Sequence, residues 1–290
     1  MKIDGKTMVC GLIGNPVEHT LSPVIHNNLA ELTDTNLVYV PFLVQEGSVT
    51  EAVKGAFALH VKGLNVTVPH KSAVIPALVG IDPLAEKIGA VNTLVRAQDG
   101  FVGYNTDMTG LLRAMQSEGI GIRNETVVLL GAGGAARAVA YLCVQEGAAK
   151  VYLCNRTAAK AEEVAKEINH AFGSEKIYPM ALSQAADIPE KSVLAIQCTS
   201  VGLYPDVDRV VLEDEAFYCK IHTGVDLIYR PYETKFMKLV KASGGKTMNG
   251  LKMLLYQGII AYELWNACTV SEEMAAQLLN KMKKELGIYE

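Results

Sequence analysis

A lysine and an aspartate stand at the ends of two predicted strands of this chain. Lys71 closes the stretch NVTVPHK (65–71), and Asp107 closes GYNTD (103–107). A glycine-rich turn, GAGGAARA (131–138), follows and matches the turns that bind dinucleotide phosphates. A lysine that is held by a carboxylate can donate a proton while a dinucleotide donates a hydride. The three features together indicate an oxidoreductase that interconverts a carbonyl and an alcohol.

The glycine-rich turn lies between a predicted strand, TVVLL (126–130), and a predicted helix that ends near Gly147. Gly131 allows the sharp turn, Gly133 lets the backbone approach a pyrophosphate, and Ala136 stands where the dinucleotide fingerprint takes a small residue. The N-terminus of the helix offers free N–H groups and the positive end of its dipole to phosphates. A glycine-rich turn with no ligand is the alternative.

The next predicted strand, KVYLC (150–154), leads into Asn155 and Arg156. Sites that prefer NAD usually carry an acidic residue here for the ribose hydroxyls, and this chain has none. Arg156 can pair with the extra phosphate of NADP, and Lys160 adds positive charge one helical turn on. A solvated arginine at the start of a helix is the alternative. The segment predicts NADP as the cofactor, with NAD as a weaker possibility.

Short apolar runs alternate with helical patterns along the chain, which predicts an α/β fold with mostly parallel sheets. A helix is expected from Ser22, whose hydroxyl can cap it, with Pro23 at the first helical position. An amphipathic helix is expected between a cap at Thr157 and Gly173, and two helical patterns follow Gly250. The runs that predict strands are residues 8–13, 37–42, 63–68, 92–95, 126–130, 150–154, 193–197 and 224–228.

The bulk composition is that of a globular enzyme: half of the 290 residues are hydrophobic and 20% are charged, enough for two domains with buried cores. The net charge is -4 and no run of Lys and Arg exceeds two residues, so binding to nucleic acid is not expected. No signal sequence is visible, and no apolar stretch approaches the roughly 18 residues of a membrane span. We therefore expect a cytoplasmic protein that does not bind membranes.

The cysteines and histidines give no sign of a disulfide frame or a metal site. The six cysteines form no CxxC pair, and the six histidines lack the spacing of metal ligands, so no metal is expected. His26 lies one turn beyond Ser22 in the first predicted helix. A structural role and a role beside the substrate are both open for it.

Nine stretches of the chain resemble, in the same order, the motifs of the shikimate dehydrogenase family. They are GLIGNPVEHTLSP (11–23), NVTVPHK (65–71), GAVNT (89–93), GYNTD (103–107), GAGGAARA (131–138), NRT (155–157), TSVG (199–202), DLIYRP (226–231) and MLLYQG (253–258). The resemblance implies NADPH-dependent, reversible reduction of 3-dehydroshikimate to shikimate, a step of aromatic amino acid biosynthesis. It also implies a two-domain α/β fold, with an N-terminal substrate domain and a Rossmann-type dinucleotide-binding domain.

The domain limits are expected from the same resemblance. Residues 1–106 would form the substrate-binding and catalytic domain, to which residues 251–290 return, and residues 107–250 would form the NADP-binding domain. The boundary is expected near residues 107–120, in or beside a helix. The expected partner is a small molecule, 3-dehydroshikimate or shikimate, and the expected state is a monomer or a homodimer.

The resemblance also assigns the site residues, with Lys71 and Asp107 as the catalytic pair. A substrate with a carboxylate and ring hydroxyls calls for hydroxyl and amide side chains. The substrate-binding positions are Thr20, Ser22, Asn65, Thr67, Asn92, Tyr229 and Gln257. The cofactor-binding positions are Gly131, Ala132, Gly133, Gly134, Ala135, Asn155, Arg156, Thr157, Lys160, Thr199, Ser200, Leu227 and Gly250.

Thr20 departs from the family pattern, which has a serine at this position. The hydroxyl is kept, but a methyl is added beside the carboxylate end of the substrate, where quinate differs from shikimate. A quinate/shikimate dehydrogenase with dual substrate or NAD use is therefore the alternative. A catalytically silent nucleotide-binding regulator on the same fold is a second one. The presence of both Lys71 and Asp107 argues against it.

Overall fold

The computed structural model of the chain describes residues 3–288. The strands are β1 (Met8–Gly14), β2 (Leu37–Leu43), β3 (Gly63–Val66), β4 (Gly80–Ile81), β5 (Thr93–Arg96), β6 (Phe101–Tyr104), β7 (Thr126–Leu130), β8 (Lys150–Asn155), β9 (Ile177–Ala181), β10 (Val193–Gln197), β11 (Ile221–Asp226) and β12 (Lys246–Met248). The helices are α1 (Ser22–Leu32), α2 (Val49–Ala58), α3 (His70–Ala73), α4 (Pro83–Ile88), α5 (Thr106–Ser117), α6 (Gly134–Gln145), α7 (Ala158–Phe172), α8 (Glu215–Tyr218), α9 (Lys235–Ala242), α10 (Leu251–Asn266) and α11 (Glu272–Glu285).

The chain divides into two compact units. The first contains the residues up to Leu111 and those from Leu254 onward, and the second runs from Leu112 to Met253. The divisions fall inside α5 and inside α10. None of the helices within residues 3–288 is long and apolar enough to cross a membrane.

The first unit is built on a mixed sheet with the strand order β2-β1-β3-β5-β6-β4. Strands β2, β1 and β3 are parallel, whereas β5 runs antiparallel to both β3 and β6. Leu64, Val66, Leu94 and Phe101 belong to a buried core on this sheet. The ends of β3 and β6 lead directly into α3 and α5, and these two helices carry the catalytic candidates.

The second unit is built on a parallel sheet with the strand order β12-β11-β10-β7-β8-β9. Counted from β7 as the first strand, this is the order 3-2-1-4-5-6 of the doubly wound dinucleotide-binding fold. Strands β7 and β10 are nearly continuous buried apolar runs, as expected for strands covered on both faces. The predicted α/β class, with mostly parallel sheets in two domains, is confirmed.

Two predicted strands differ from the structure by more than one residue at an end. The run predicted as 63–68 ends as a strand at Val66, because Thr67 already turns the chain toward α3. The run predicted as 224–228 begins earlier, at Ile221, and ends at Asp226. It stops there because the Asp226 carboxylate accepts a hydrogen bond from the Ile228 N–H at 2.9 Å and turns the backbone.

The predicted helix caps are only partly correct. Ser22 is the first residue of α1 rather than its cap, Pro23 follows it, and the Ser22 hydroxyl makes no capping bond. The Ser22 N–H instead donates to the Thr20 hydroxyl at 3.2 Å. Thr157 stands at the cap position of α7, but its hydroxyl also makes no capping bond. Gly173 ends α7 in the left-handed conformation, as predicted.

Candidate active site

Lys71 and Asp107 form an ion pair in which Nζ and Oδ2 are 2.6 Å apart. Both residues lie in the first turns of helices, α3 and α5, rather than at strand ends as predicted. Their side chains are 33% and 20% exposed, so the pair is open to a ligand and to water. An ammonium held by a carboxylate in a half-buried position can deliver a proton to an oxygen that binds beside it.

The two short elements that carry this pair are fixed by buried polar groups. His70 is 1% exposed, and its Nε2 donates to the Val44 carbonyl oxygen at 2.8 Å, which anchors the start of α3. The Asn105 side-chain oxygen, Oδ1, accepts the N–H groups of Asp107 and Met108, at 3.2 and 3.3 Å, at the start of α5. The sequence reasoning did not identify Asn105. An asparagine just before a helix is the signal that could have found it.

Asn65 and Asn92, two of the predicted substrate residues, lie side by side, Asn65 in β3 and Asn92 just before β5. Asn65 Nδ2 donates to the Asn92 backbone oxygen at 3.3 Å and to the Thr93 hydroxyl at 3.1 Å. The Asn92 side-chain oxygen accepts the Thr106 N–H at 2.7 Å, one residue before Asp107. This network joins β3, β5 and the start of α5, so it brings the amides and the catalytic pair into one region.

Thr20 and Ser22 also lie together, with their hydroxyl oxygens 3.1 Å apart and Thr20 as the donor. Thr67 is partly exposed on the turn between β3 and α3, four residues before Lys71. The structure therefore brings the predicted carboxylate-binding hydroxyls into a direct pair and places Thr67 on the segment that carries the catalytic lysine.

Gln257 lies on α10, and its Nε2 donates to the Leu254 carbonyl oxygen at 2.8 Å. A methyl group on Gly110 would come within 2.6 Å of the Gln257 backbone nitrogen, so α5 and α10 touch at this point. Gly110 is one helical turn beyond Asp107. The sequence reasoning did not identify Gly110, because only the packing of the two helices reveals the need for a glycine.

The glycine-rich turn of the second unit has the geometry of a phosphate site. Gly131 has φ +113, a conformation that favours glycine. A Cβ added at Gly133 or Gly134 would meet no atom within 4 Å, so their backbone is open to a ligand. Ala132 and Ala135 complete the turn, and α6 begins at Gly134 with its first N–H groups unpaired within the helix. These groups fit the pyrophosphate of a dinucleotide.

The glycine-rich turn after β7 contacts the loop after β10, its neighbour in the sheet, at the point where the strand order reverses. A Cβ on Gly131 would lie 2.7 Å from the Thr199 methyl group, so the turn after β7 and the loop after β10 are in contact. Ser200 follows as an exposed residue in that loop. Ligands of doubly wound sheets bind at this switch point, beyond the carboxyl ends of the strands.

The loops after β10 and β11 are tied together by the buried carboxylate of Asp226. It accepts the Gln197 amide at 3.3 Å, the Ile228 N–H at 2.9 Å and the Thr234 hydroxyl at 2.6 Å. Burial raises the pKa of Asp226 to about 6, and these hydrogen bonds oppose that rise. The sequence reasoning did not identify this network.

Leu227 and Gly250, both predicted to bind the cofactor, are in direct contact. A Cβ on Gly250 would lie 2.1 Å from the Leu227 carbonyl oxygen, so only glycine allows this approach. Tyr229 lies in the same loop, half-buried, and burial raises its pKa. Tyr229 belongs to the second unit, as do Leu227 and Gly250.

Arg156 is exposed just after β8, and it forms no ion pair with another residue in the described range 3–288. Asn155 Nδ2 donates to the Thr157 carbonyl oxygen at 2.9 Å, and the Lys160 N–H donates to the same oxygen at 3.1 Å. These bonds shape the turn into α7 and leave the Arg156 guanidinium and the exposed Lys160 ammonium available. Two cations that form no ion pair within residues 3–288 fit the 2′-phosphate of NADP.

Comparison with known proteins agrees with the residues found in each unit. Two family models match: the shikimate dehydrogenase substrate binding domain over residues 12–94, and shikimate / quinate 5-dehydrogenase over residues 113–202. The shikimate dehydrogenase (NADP(+)) of Desulforamulus reducens is 42% identical over 282 residues, 97% of this chain and 97% of that protein.

Solved structures give the same result. A shikimate dehydrogenase in complex with NADP+ is 36% identical with a TM-score of 0.87, over 97% of each chain. The shikimate 5-dehydrogenase of Listeria monocytogenes, solved with shikimate and NAD, is 30% identical with a TM-score of 0.88, over 96% of this chain and 98% of that one. These matches run nearly the full length and include the segments that carry the ion pair and the glycine-rich turn, so the chain belongs to the shikimate dehydrogenase family.

Proposed function

We propose that the protein catalyses the NADPH-dependent, reversible reduction of 3-dehydroshikimate to shikimate in aromatic amino acid biosynthesis. The ion pair between Lys71 and Asp107, beside the buried amides of Asn65 and Asn92, carries the proposal. It places a proton donor next to side chains that suit the hydroxyls of a polyhydroxy ring. The relative from Desulforamulus reducens is a shikimate dehydrogenase (NADP(+)), which supports the same reaction and cofactor.

NADPH, when bound, supplies the hydride to the carbonyl carbon. Lys71 donates a proton to the carbonyl oxygen as negative charge develops there, and Asp107 holds the ammonium in place. Because a third of the Lys71 side chain is exposed, water can return the proton to the amine. In the oxidation direction the neutral Lys71 amine accepts the proton of the substrate hydroxyl.

The remaining predicted residues take their proposed roles from their chemistry. The paired hydroxyls of Thr20 and Ser22 bind the substrate carboxylate, and Thr67, Tyr229 and Gln257 add hydrogen bonds to the ring. The turn at residues 131–135, with Thr199, Ser200, Leu227 and Gly250, holds the pyrophosphate and nicotinamide parts of the cofactor. Arg156 and Lys160, with Asn155 and Thr157, hold the 2′-phosphate.

The proposal assigns substrate binding and catalysis to residues 1–106 with 251–290, and NADP binding to residues 107–250. The match of the substrate binding domain family to residues 12–94 supports this division of roles. The proposal also takes the chain to act in the cytoplasm, as a monomer or a homodimer. Its free cysteines are consistent with a reducing compartment.

Initial rates of the purified protein test the function on four pairs: shikimate or quinate, each with NADP⁺ or NAD⁺. Activity confined to shikimate with NADP⁺ is the expected result. Comparable rates with quinate or NAD⁺ would move the protein to the dual-use alternative, with Thr20→Ser as the first variant to make. Absence of activity with all four pairs would overturn the proposal and favour the silent regulator.

A further inference from the structure

Tyr39 lies at the centre of a buried polar chain beneath the proposed substrate site. It stands in the middle of β2 and is 1% exposed, and its hydroxyl donates to the Asn65 side-chain oxygen at 2.8 Å. Strand β1 separates β2 from β3 in the sheet, so the phenol reaches across one strand to the amide. Burial raises the pKa of Tyr39, and the Ser22 hydroxyl beside the phenol opposes that rise. The mechanism above gives the Tyr39 hydroxyl no role of its own.

The hydrogen bonds of Asn65 determine which way its amide faces. The Asn92 backbone oxygen can only accept, so the Asn65 nitrogen must lie on that side and the Asn65 oxygen must lie toward Tyr39. Both hydrogens of the nitrogen are then used, by Asn92 and Thr93. Asn65 keeps one acceptor position, the second lone pair of its side-chain oxygen.

The hydrogen bonds of Asn92 fix its amide so that the oxygen is occupied and the nitrogen is left for a ligand. Its oxygen accepts the Thr106 N–H at 2.7 Å, and a backbone N–H can only donate. The hydroxyls of Thr93 and Thr106 lie 3.0 and 3.1 Å from the same oxygen. Within residues 3–288 the Asn92 nitrogen donates to no other group, so it is free to donate to a ligand.

An aromatic cluster holds the Tyr39 ring in place. His26 stacks on it with ring centroids 4.2 Å apart and planes inclined by 15°, and Trp265 lies 5.0 Å from the His26 ring. His26 is fully buried and neither of its ring nitrogens has a hydrogen-bond partner among the described residues. The imidazole packs against the phenol. Burial lowers the pKa of His26, and the Asn65 side chain beside the ring opposes that fall.

We propose that Tyr39 is a positioning residue that fixes the Asn65 amide, so that the pocket offers an acceptor at Asn65 and a donor at Asn92. A ring hydroxyl can donate to the first and accept from the second. A ligand group that only donates or only accepts satisfies one of the two amides and leaves the other unpaired. The inference rests on the proposed function, because the hydroxyls it concerns are those of shikimate.

The test compares Tyr39→Phe with Tyr262→Phe in shikimate oxidation with NADP⁺. Tyr262 is a matched control: it belongs to the same aromatic cluster and is fully buried, but its hydroxyl bonds Thr33 at 2.6 Å, away from the amides. Tyr39→Phe is expected to raise the KM of shikimate about three- to tenfold, the effect of one lost hydrogen bond. The kcat and the KM of NADP⁺ stay within twofold, and Tyr262→Phe changes none of these values.

A double-mutant cycle with Asn65→Ala separates positioning from general damage. In the Asn65→Ala background, Tyr39→Phe should have no further effect on the KM of shikimate. If Tyr39→Phe does not fold, Tyr39→Met gives the same test, because it also removes the hydroxyl that bonds Asn65 and keeps an apolar, adaptable side chain. Equal KM values for Tyr39→Phe and Tyr262→Phe, or additive effects in the cycle, would overturn the positioning role alone. Wild-type protein that does not oxidise shikimate would overturn the proposed function itself, and the positioning role with it.

Discussion

Lys71 Nζ and Asp107 Oδ2 lie 2.6 Å apart, although 36 residues separate them in the chain. Lys71 follows β3 and Asp107 follows β6, and β5 lies between these strands in the sheet. The pair therefore forms only when the antiparallel β3-β5-β6 arrangement is in place. Activity of the site therefore requires that this sheet is folded. Substitution of one residue of the pair can still abolish activity without unfolding the sheet.

Lys71→Ala should lower kcat about 100- to 10,000-fold, the range for loss of a general acid or base. Because the pair is partly exposed, its contribution to the free energy of unfolding should stay within about 1 kcal/mol. Steady-state rates and a urea unfolding curve measure the two effects. Lys54→Ala, an exposed lysine on α2, is the control. Near-native turnover of Lys71→Ala would remove the lysine from the mechanism.

Arg156→Ala should weaken NADPH binding by about 1.5–3 kcal/mol, the contribution of a hydrogen bond to a charged group. NADH lacks the 2′-phosphate, so its binding should hardly change. Fluorescence titration of both cofactors gives the two dissociation constants. Lys166→Ala, an exposed cation farther along α7, serves as the control. A loss of equal size for both cofactors would point to damage of the glycine-rich turn instead.

His26 should make the fold sensitive to acid. Burial lowers the pKa of His26 to about 3, below its ordinary value of about 6.5. The unfolded chain therefore binds a proton that the folded chain does not, and stability is lost as pH falls below about 6.5. The loss should reach about 2 kcal/mol at pH 5. Urea unfolding at pH 7 and pH 5 should show it in the wild type and not in His26→Phe.

A variant of the exposed His170 is the control for His26, since it removes one histidine without touching the buried ring. His170→Gln should keep the full acid sensitivity of the wild type. Identical pH dependence in His26→Phe and the wild type would show that His26 does not cause the effect.

Asp226 should change the pH dependence of stability in the opposite direction to His26. Its pKa of about 6 in the folded protein lies above its ordinary value of about 4, so between these values the folded chain binds more protons than the unfolded chain. Stability therefore falls as pH rises from about 4 to 6, by on the order of 3 kcal/mol in total. Asp226→Asn removes this dependence, and unfolding curves across that range should show only the acid loss due to His26.

The fold was predictable wherever a strand is a continuous buried run, as in β7 and β10, because composition alone marks such strands. Strands β4, β9 and β12 were missed. Strands β4 and β12 have only two and three residues, and β9 is a largely exposed strand at the edge of its sheet, so all three are defined by pairing with a neighbour. The predicted cap at Ser22 was wrong for a local reason. The hydroxyl of Thr20, two residues earlier, accepts a hydrogen bond from the Ser22 N–H, and Ser22 is the first residue of the helix instead of its cap.

The sequence alone predicts the catalytic and cofactor-binding residues, but it does not predict the hydrogen bonds that hold them in place. Lys71, Asp107 and the glycine-rich turn lie in motifs that can be found in the sequence alone. Tyr39 and Asp226 lie within apolar runs and look like ordinary strand residues. Their roles depend on hydrogen bonds to residues that are distant in the chain, and only the folded sheets show these contacts.

The close contact at Gly110 restricts which substitutions related proteins can accept in α5 and α10. Since its Cα hydrogen is all that separates α5 from the Gln257 backbone, position 110 cannot accept even one methyl group unless α10 shifts. Asp107 is one turn away on the first helix, and Gln257 is on the second. Any drift in the spacing of these helices would move both side chains at once, so the two sequence segments can change only in step with each other.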